Sequence, residues 1–132
     1  MEQYEALNTA IKENINPNTI FKSTGAVINN NHTDIVFAEF VNKIFLIVTQ
    51  YKRLGSLVSV QKFSPSTASD NQNYTYDINT LFGSNEKEYL TARYLTEAFS
   101  TEKQILVFST LKDHSRETLE AIRSTLINLI NN

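Results

Sequence analysis

The sequence predicts an α+β fold in which an antiparallel β-meander sheet carries two amphipathic helices on one face and leaves the other face available for dimerisation. Three observations support this prediction. The chain has 132 residues and no Cys, a length that suits one domain with its own core. Between positions 20 and 63, short runs of alternating apolar residues are separated by turn residues. After position 85, two helix-period segments flank one further apolar run, so the element order is β-β-β-β-β-α-β-α.

The first 18 residues are predicted to form a leader that precedes a single domain over residues 19–132. Tyr4, Leu7 and Ile11 recur at helical spacing, and Pro17 closes the segment. We therefore expect residues 1–18 to form a short helix or a flexible arm.

Five strands are expected before the first helix of the domain, because apolar and β-branched residues alternate between turn signals. The turns are predicted at Asn29–His32, Asn42–Lys43 and Tyr51–Gly55. Ser64–Asn73 is small, polar and contains Pro, which is typical of a surface loop. The predicted strands are Phe21–Ile28, Ile35–Val41, Ile44–Gln50, Leu57–Phe63 and Tyr76–Phe82.

The last third of the chain is predicted to be helix, strand and helix. Asn85 and Glu88 have the spacing of a capping box at the start of the first helix. The run Ile105–Phe108 is apolar throughout, which is typical of a strand buried on both faces. Ser115 is the expected cap of the final helix, whose apolar residues recur at helical spacing.

The two faces of the predicted sheet differ in apolar content. A two-residue turn at Asn42–Lys43 would pair Val41 with Ile44, and an even-length loop would extend this register into the fourth strand. We expect the two helices to cover the wholly apolar face, which holds Val36, Ala38, Phe40, Phe45, Ile47, Val58 and Val60.

The other face is the predicted dimer interface, because a patch of large apolar residues in water costs about 25 cal/mol per Å². Two alternatives are that residues 1–18 fold over this face, or that it remains solvated. The proposed interface residues are Phe37, Leu46, Val48 and Leu57, with Lys52 and Arg53 as candidate partner contacts at the rim.

Composition excludes several classes of function. With no Cys there is no disulfide framework and no thiolate metal site. The 12 basic and 14 acidic residues lack the electrostatic footprint of a nucleic-acid binder. The polar N-terminal segment and the short apolar runs predict neither a signal peptide nor a membrane span. We expect a cytoplasmic protein, with the nucleus as a second compartment.

Candidate catalytic residues are scarce. The sequence contains no nucleophile elbow, P-loop or dinucleotide-binding fingerprint. His32 and His114 lie in predicted turns, and Asp113-His114-Ser115 is interpreted as the start of a helix. No catalytic residue, metal or cofactor is expected.

One string in the middle of the chain resembles a known family. Residues Ile44–Val58, IFLIVTQYKRLGSLV, resemble the central hairpin of the proteasome assembly chaperone 3 family. In that family a hydrophobic strand ends in V-T-Q and an aromatic residue, and a short turn leads to G-[ST]-L-V. The resemblance spans Thr19–Ile130 in element order, and it continues at Leu81-Phe82-Gly83, Gln104–Leu111, Lys112–Ser115 and Glu117–Leu129.

The resemblance implies a non-catalytic chaperone of 20S proteasome assembly. Its expected partners are a proteasome assembly chaperone 4-like protein or a second copy of itself, and the proteasome alpha subunits during alpha-ring formation. Residues 1–18 and the Ser64–Asn73 loop extend beyond the family pattern and inherit no role from it. The alternatives are an adaptor of longin or roadblock type, and an enzyme that uses His32 or His114.

Overall fold

The computed structural model describes residues 2–13, 20–51, 55–63, 75–83 and 86–132, and these form an α+β fold, which confirms the predicted class. The predicted Ser64–Asn73 loop and the Asn85 cap lie outside the described residues. In chain order the elements are α1 (Glu2–Glu13), β1 (Ile20–Ile28), β2 (Asn31–Glu39), β3 (Lys43–Thr49), β4 (Ser56–Phe63), β5 (Thr75–Phe82), α2 (Glu86–Thr96), β6 (Gln104–Thr110) and α3 (Arg116–Asn131).

The strands form one mixed sheet in the order β1-β2-β3-β6-β4-β5. Strand β6 lies between β3 and β4, parallel to β3 and antiparallel to β4. The prediction of an antiparallel meander is therefore wrong at this point. The physical reason is the apolar character of β6: a strand that is apolar on both faces is most stable inside a sheet, and the connection from β3 to β6 is long enough for a parallel pairing.

The first two hairpins have two-residue turns. Asn29 and Asn30 have φ angles of 50° and 66°, the left-handed pair that matches the twist of the flanking strands. In the second hairpin, the Phe40 amide donates to the Lys43 carbonyl oxygen at 2.8 Å, so Val41 and Asn42 form the turn. The turn predicted at Asn42–Lys43 is one residue too late.

Helices α2 and α3 pack on one face of the sheet, which is called the helix face here. Phe37 is 2% exposed, and its ring lies edge-to-face against Phe99 with centroids 5.7 Å apart. The helices contribute Leu95, Ile122 and other side chains to the same core. The strand residues of this core are Ile28, Ile35, Phe37, Ile44, Leu46, Val48, Val58, Val60, Ile105 and Val107.

The predicted assignment of the faces is wrong, because the helices cover the side that holds Phe37, Leu46 and Val48. The register of β4 explains part of the error. Val58 lies opposite Val107 on β6, and Val107 lies beside Leu46 on β3. Val58 therefore shares a face with Leu46, because β4 takes its register from β6 and not from a hairpin with β3.

Candidate functional site

The face of the sheet opposite α2 and α3 carries a row of phenylalanines, and it is called the aromatic face here. Ala38 pairs with Phe45, Ile47 with Phe108, and Phe108 in turn with Leu57, so these side chains share one side of the sheet. Phe82 lies opposite Leu57 on the edge strand β5. The aromatic face consists of Phe21, Val36, Ala38, Phe40, Phe45, Ile47, Leu57, Phe82 and Phe108.

Three rings of the aromatic face form a row in which Phe45 on β3 contacts both Phe40, just after β2, and Phe108 on β6. Phe40 meets Phe45 edge-to-face, with centroids 5.6 Å apart and planes at 82°. Phe45 stacks on Phe108 with centroids 6.3 Å apart and planes at 15°. All three rings are only partly buried. Edge-to-face and offset-stacked pairs are the arrangements that aromatic rings prefer, so these contacts favour the observed orientation of the three rings.

Helix α1 covers part of the aromatic face. Tyr4 is 7% exposed and packs against Val36, Ala38 and Ile47, and Leu7 packs at the edge of the same cluster. Burial raises the pKa of the Tyr4 phenol, and the nearby acidic side chains raise it further. This packing places α1 over β2 and β3.

The uncovered part lies toward the β5 edge. Phe82 is 67% exposed and Leu81 is 57% exposed. An apolar hollow of about 280 Å³ lies between α1 and this edge, and its lining includes Gln3, Leu57 and Phe108. Exposed apolar residues that are contiguous with a half-buried aromatic cluster are typical of a protein–protein interface.

The predicted interface residues lie in different parts of the structure. Phe37, Leu46 and Val48 lie in the core beneath α2 and α3, where no partner can reach them in the folded chain. Leu57 lies on the aromatic face. Lys52 and Arg53 lie outside the described residues.

Sequence reasoning grouped the aromatic residues correctly but assigned them to the wrong layer. Phe40 and Phe45 were expected on one face together with Val36, Ala38 and Ile47, and they do share it. Phe108 was missed as a surface residue because its strand is apolar on both sides. The signal available was the alternation of side chains in β6. Once this strand is known to be central, the alternation places Phe108 and Val107 on opposite faces of the sheet.

The two histidines belong to separate polar groups. His32 Nε2 lies 3.1 Å from Asp34 Oδ1. His114 Nε2 lies 2.5 Å from the buried Glu88 carboxylate. That carboxylate also accepts a hydrogen bond from the Ser109 hydroxyl, so Glu88 lies between the serine and His114. This order differs from a catalytic triad, in which the histidine contacts the nucleophile. The contacts instead tie α2 to β6 and to the segment before α3.

Asp113 and Ser115 form the start of α3, as predicted. The Ser115 hydroxyl accepts from the Thr118 amide as the N-cap. The Asp113 carboxylate accepts from the Thr118 hydroxyl, from the Ser115 amide at 2.9 Å and from the Asn29 side-chain amide at 2.7 Å. These hydrogen bonds hold the pKa of Asp113 well below its ordinary value. They join the first hairpin turn to the last helix.

The described residues offer no other obvious chemistry. Within them, no group of three or more His, Cys, Asp or Glu side chains is arranged to hold a metal ion. In the same ranges, no helix has both the length and the apolar character that crossing a membrane would require. The aromatic face is therefore the candidate functional site.

Comparison with known proteins gives consistent results. The sequence model of the proteasome assembly chaperone 3 family matches residues 46–129. Among curated relatives, the proteasome assembly chaperone 3 of Homo sapiens is 30% identical over 114 residues, which cover 83% of this chain and 92% of that protein. The protein of the same name from Nematostella vectensis is 27% identical over 116 residues, covering 81% and 86%.

One solved structure matches the fold. It is a chain from a chaperone complex for yeast 20S proteasome assembly, with a TM-score of 0.59 over 83% of this chain and 98% of that chain. The two sequences are 11% identical, so this likeness is one of fold alone.

Proposed function

Because the chain belongs to the proteasome assembly chaperone 3 family, a family of non-catalytic chaperones, we propose that it pairs with a second small chaperone through the aromatic face. The pair then scaffolds the alpha ring of the 20S proteasome. The observation that carries this proposal is the aromatic face itself. Membership in this family also sets aside the adaptor and enzyme alternatives.

The shape and chemistry of the aromatic face favour a flat apolar partner. Phe45 and Phe108 lie on the neighbouring strands β3 and β6, Phe40 directly follows β2, and all three rings are partly exposed. A second sheet can pack on such a surface at a spacing of about 10 Å, with the side chains of both sheets interdigitating. Burying the exposed apolar area then stabilises the pair by about 25 cal/mol per Å² before the cost of association.

We propose a chaperone 4-like protein as the partner. The yeast chain of similar fold comes from a chaperone complex, which supports pairing with a second chaperone chain. A heterodimer requires two different faces that are complementary to each other, whereas a two-fold homodimer requires this face to be complementary to itself. Pairing with a second copy is the alternative outcome of the experiment below.

The proposed mechanism is scaffolding without chemistry. The chaperone pair holds alpha subunits in position while the alpha ring forms, and it gives up that surface when beta subunits join. In the Glu88, Ser109 and His114 group the carboxylate lies between the hydroxyl and the imidazole, and Ser109 is buried, which favours a structural role for this group. Such a role in the cytoplasm or nucleus is part of the proposal.

Native mass spectrometry tests the proposal with the chain alone, with a recombinant chaperone 4-like protein, and with proteasome alpha subunits added. We expect a 1:1 chaperone pair that then binds alpha subunits. Phe45→Glu should abolish pairing, because it places a charge at the centre of the ring cluster. Leu90→Glu is the matched control, since Leu90 is 55% exposed on α2 at the other side of the molecule.

Two results would overturn the proposal. One is the absence of any chaperone pair or alpha-subunit complex with the unmodified chain. The other is an equal loss of pairing in both variants, which would show that the effect is not specific to the aromatic face. Exclusive self-pairing would refute the chaperone 4-like partner and leave the aromatic face as the interface of a homodimer.

A further inference from the structure

The described part of helix α1 packs on the aromatic face through two apolar side chains. Tyr4 is its buried anchor, and Leu7 packs beside it. A hollow of about 270 Å³ separates the helix from the sheet near Asn8, Ser23 and Thr24. Among the described residues, the buried Asn8 Oδ1 has no hydrogen-bond partner. Incomplete packing and an unsatisfied buried acceptor both weaken an interface.

The position of α1 conflicts with a sheet packed on this face. Through Tyr4, α1 contacts Val36 and Ala38 on β2 and Ile47 on β3. A helix with its side chains is about 10–12 Å across, whereas two packed sheets lie about 10 Å apart. The helix therefore fills the layer that the sheet of a partner would occupy over β2 and β3. A partner sheet that reaches these strands has to displace α1.

Helix α1 also lies outside the family pattern. The family match covers residues 46–129 and so excludes α1. The match begins one residue after Phe45 and also leaves out β1 and β2, and it includes Leu57 and Phe108. The match therefore includes the uncovered part of the aromatic face but not the helix that packs beside it.

We infer that α1 is a displaceable cover that competes with the partner chaperone for the aromatic face. This inference rests on the proposed function. In the free chain α1 shields Val36, Ala38 and Ile47 from water, and in the pair it leaves the sheet. The uncovered part of the face, with Leu57, Phe82 and Phe108, offers the first contact before α1 is displaced. The apparent affinity for the partner is then the intrinsic affinity multiplied by the fraction of molecules in which α1 has left the sheet.

The test compares the affinity of the full-length chain and its α1 variants for the recombinant chaperone 4-like protein, measured by titration calorimetry. Tyr4→Ala removes the buried anchor and should lower the dissociation constant by roughly tenfold, because more molecules then have the face uncovered. Leu7→Ala should act in the same direction with a smaller effect. Thr9→Ala is the matched control, since Thr9 is exposed on the same helix.

Hydrogen exchange of the unmodified chain gives an independent readout. The amides of residues 2–13 should exchange faster in the pair than in the free chain, because the displaced helix loses its packing. Thermal unfolding of each variant checks that the sheet and α3 stay folded.

The possible outcomes distinguish a failure of the inference about α1 from a failure of the proposed function. Weaker pairing by Tyr4→Ala, with slower exchange of residues 2–13 in the pair, would make α1 part of the interface and overturn the inference. Unchanged affinity and unchanged exchange would also overturn it, since α1 would then remain in place. In both cases the proposed pairing would stand. If neither the unmodified chain nor any variant forms a pair, the proposed function fails and the inference fails with it.

Discussion

Leu46 and Phe45 are adjacent on β3 and point to opposite faces, so their replacement by alanine tests the assignment of the two layers. Leu46 is fully buried in the core under α2 and α3. Phe45 is partly exposed on the aromatic face. We expect Leu46→Ala to destabilise the fold strongly, and Phe45→Ala to destabilise it weakly while impairing partner binding.

The magnitudes follow from burial. Removing a fully buried leucine side chain costs about 2–5 kcal/mol, and the cost is at the upper end where the site cannot collapse. Leu46 is 0% exposed on β3, which has a neighbouring strand on each side, so we expect about 3–4 kcal/mol. Phe45 is exposed on one side, and the loss there is about 1–2 kcal/mol.

Urea and thermal unfolding, followed by far-UV circular dichroism, measure both values. For a chain of 132 residues, 1 kcal/mol corresponds to about 3–4 °C in melting temperature. Leu46→Ala should therefore melt about 10–14 °C below the unmodified chain, and Phe45→Ala about 3–7 °C below it. Measurements at several protein concentrations without the partner show whether self-association contributes to the melting temperatures.

The opposite ranking would refute this assignment. If Phe45→Ala were the more damaging change and Leu46→Ala mainly weakened partner binding, the helices would cover the other face. Equal and small effects would show that neither side chain lies in a packed core.

Three further predictions concern polar and backbone features. Glu88→Ala should cost about 2–4 kcal/mol in urea unfolding, because the buried Ser109 hydroxyl and Leu111 amide lose their acceptor. The matched change Glu86→Ala, at an exposed position, should stay within about 0.5 kcal/mol of the unmodified chain. Gly55→Ala should lower the melting temperature, since the added Cβ would lie 2.2 Å from the Thr110 hydroxyl oxygen; an unchanged value would contradict the close approach of β4 to β6. Asp113→Asn should lower the free energy of unfolding at neutral pH. The difference from the unmodified chain should narrow as the pH falls below about 4, because a carboxyl with a lowered folded-state pKa contributes stability that is lost on protonation. A gap that stays constant from pH 7 to pH 2 would show that the Asp113 charge contributes nothing.

Local features were predictable where short-range physics decides them. The Asn29 and Asn30 turn follows from two residues that tolerate positive φ between alternating strands. The Ser115 cap follows from a hydroxyl that can accept a helix amide. Phe40 and Phe45 share one face although the predicted turn is one residue too late. That error changes the strand pairing by two residues, and side chains alternate between the faces with a period of two.

The candidate site was not predictable to the same extent. Phe37, Leu46 and Val48 were assigned to a partner surface and lie in the core. Both faces of the sheet are apolar enough to be covered, and the helix stripes carry no information about which one they meet. The family resemblance was recognisable because it depends on element order and on the string around Val48 and Leu57, and not on the layer in which each residue lies.

The sequence by itself determined the order of the elements, the Asn29–Asn30 turn and the Ser115 cap, because these depend on neighbours within a few residues. Only the tertiary structure decided that β6 lies between β3 and β4 and that the helices cover the face with Leu46. It also decided that α1 lies on the aromatic face through Tyr4. These choices depend on competition between whole surfaces for burial: two apolar faces and three amphipathic helices can be combined in more than one way, and the packing energy of the assembled layers selects one of them.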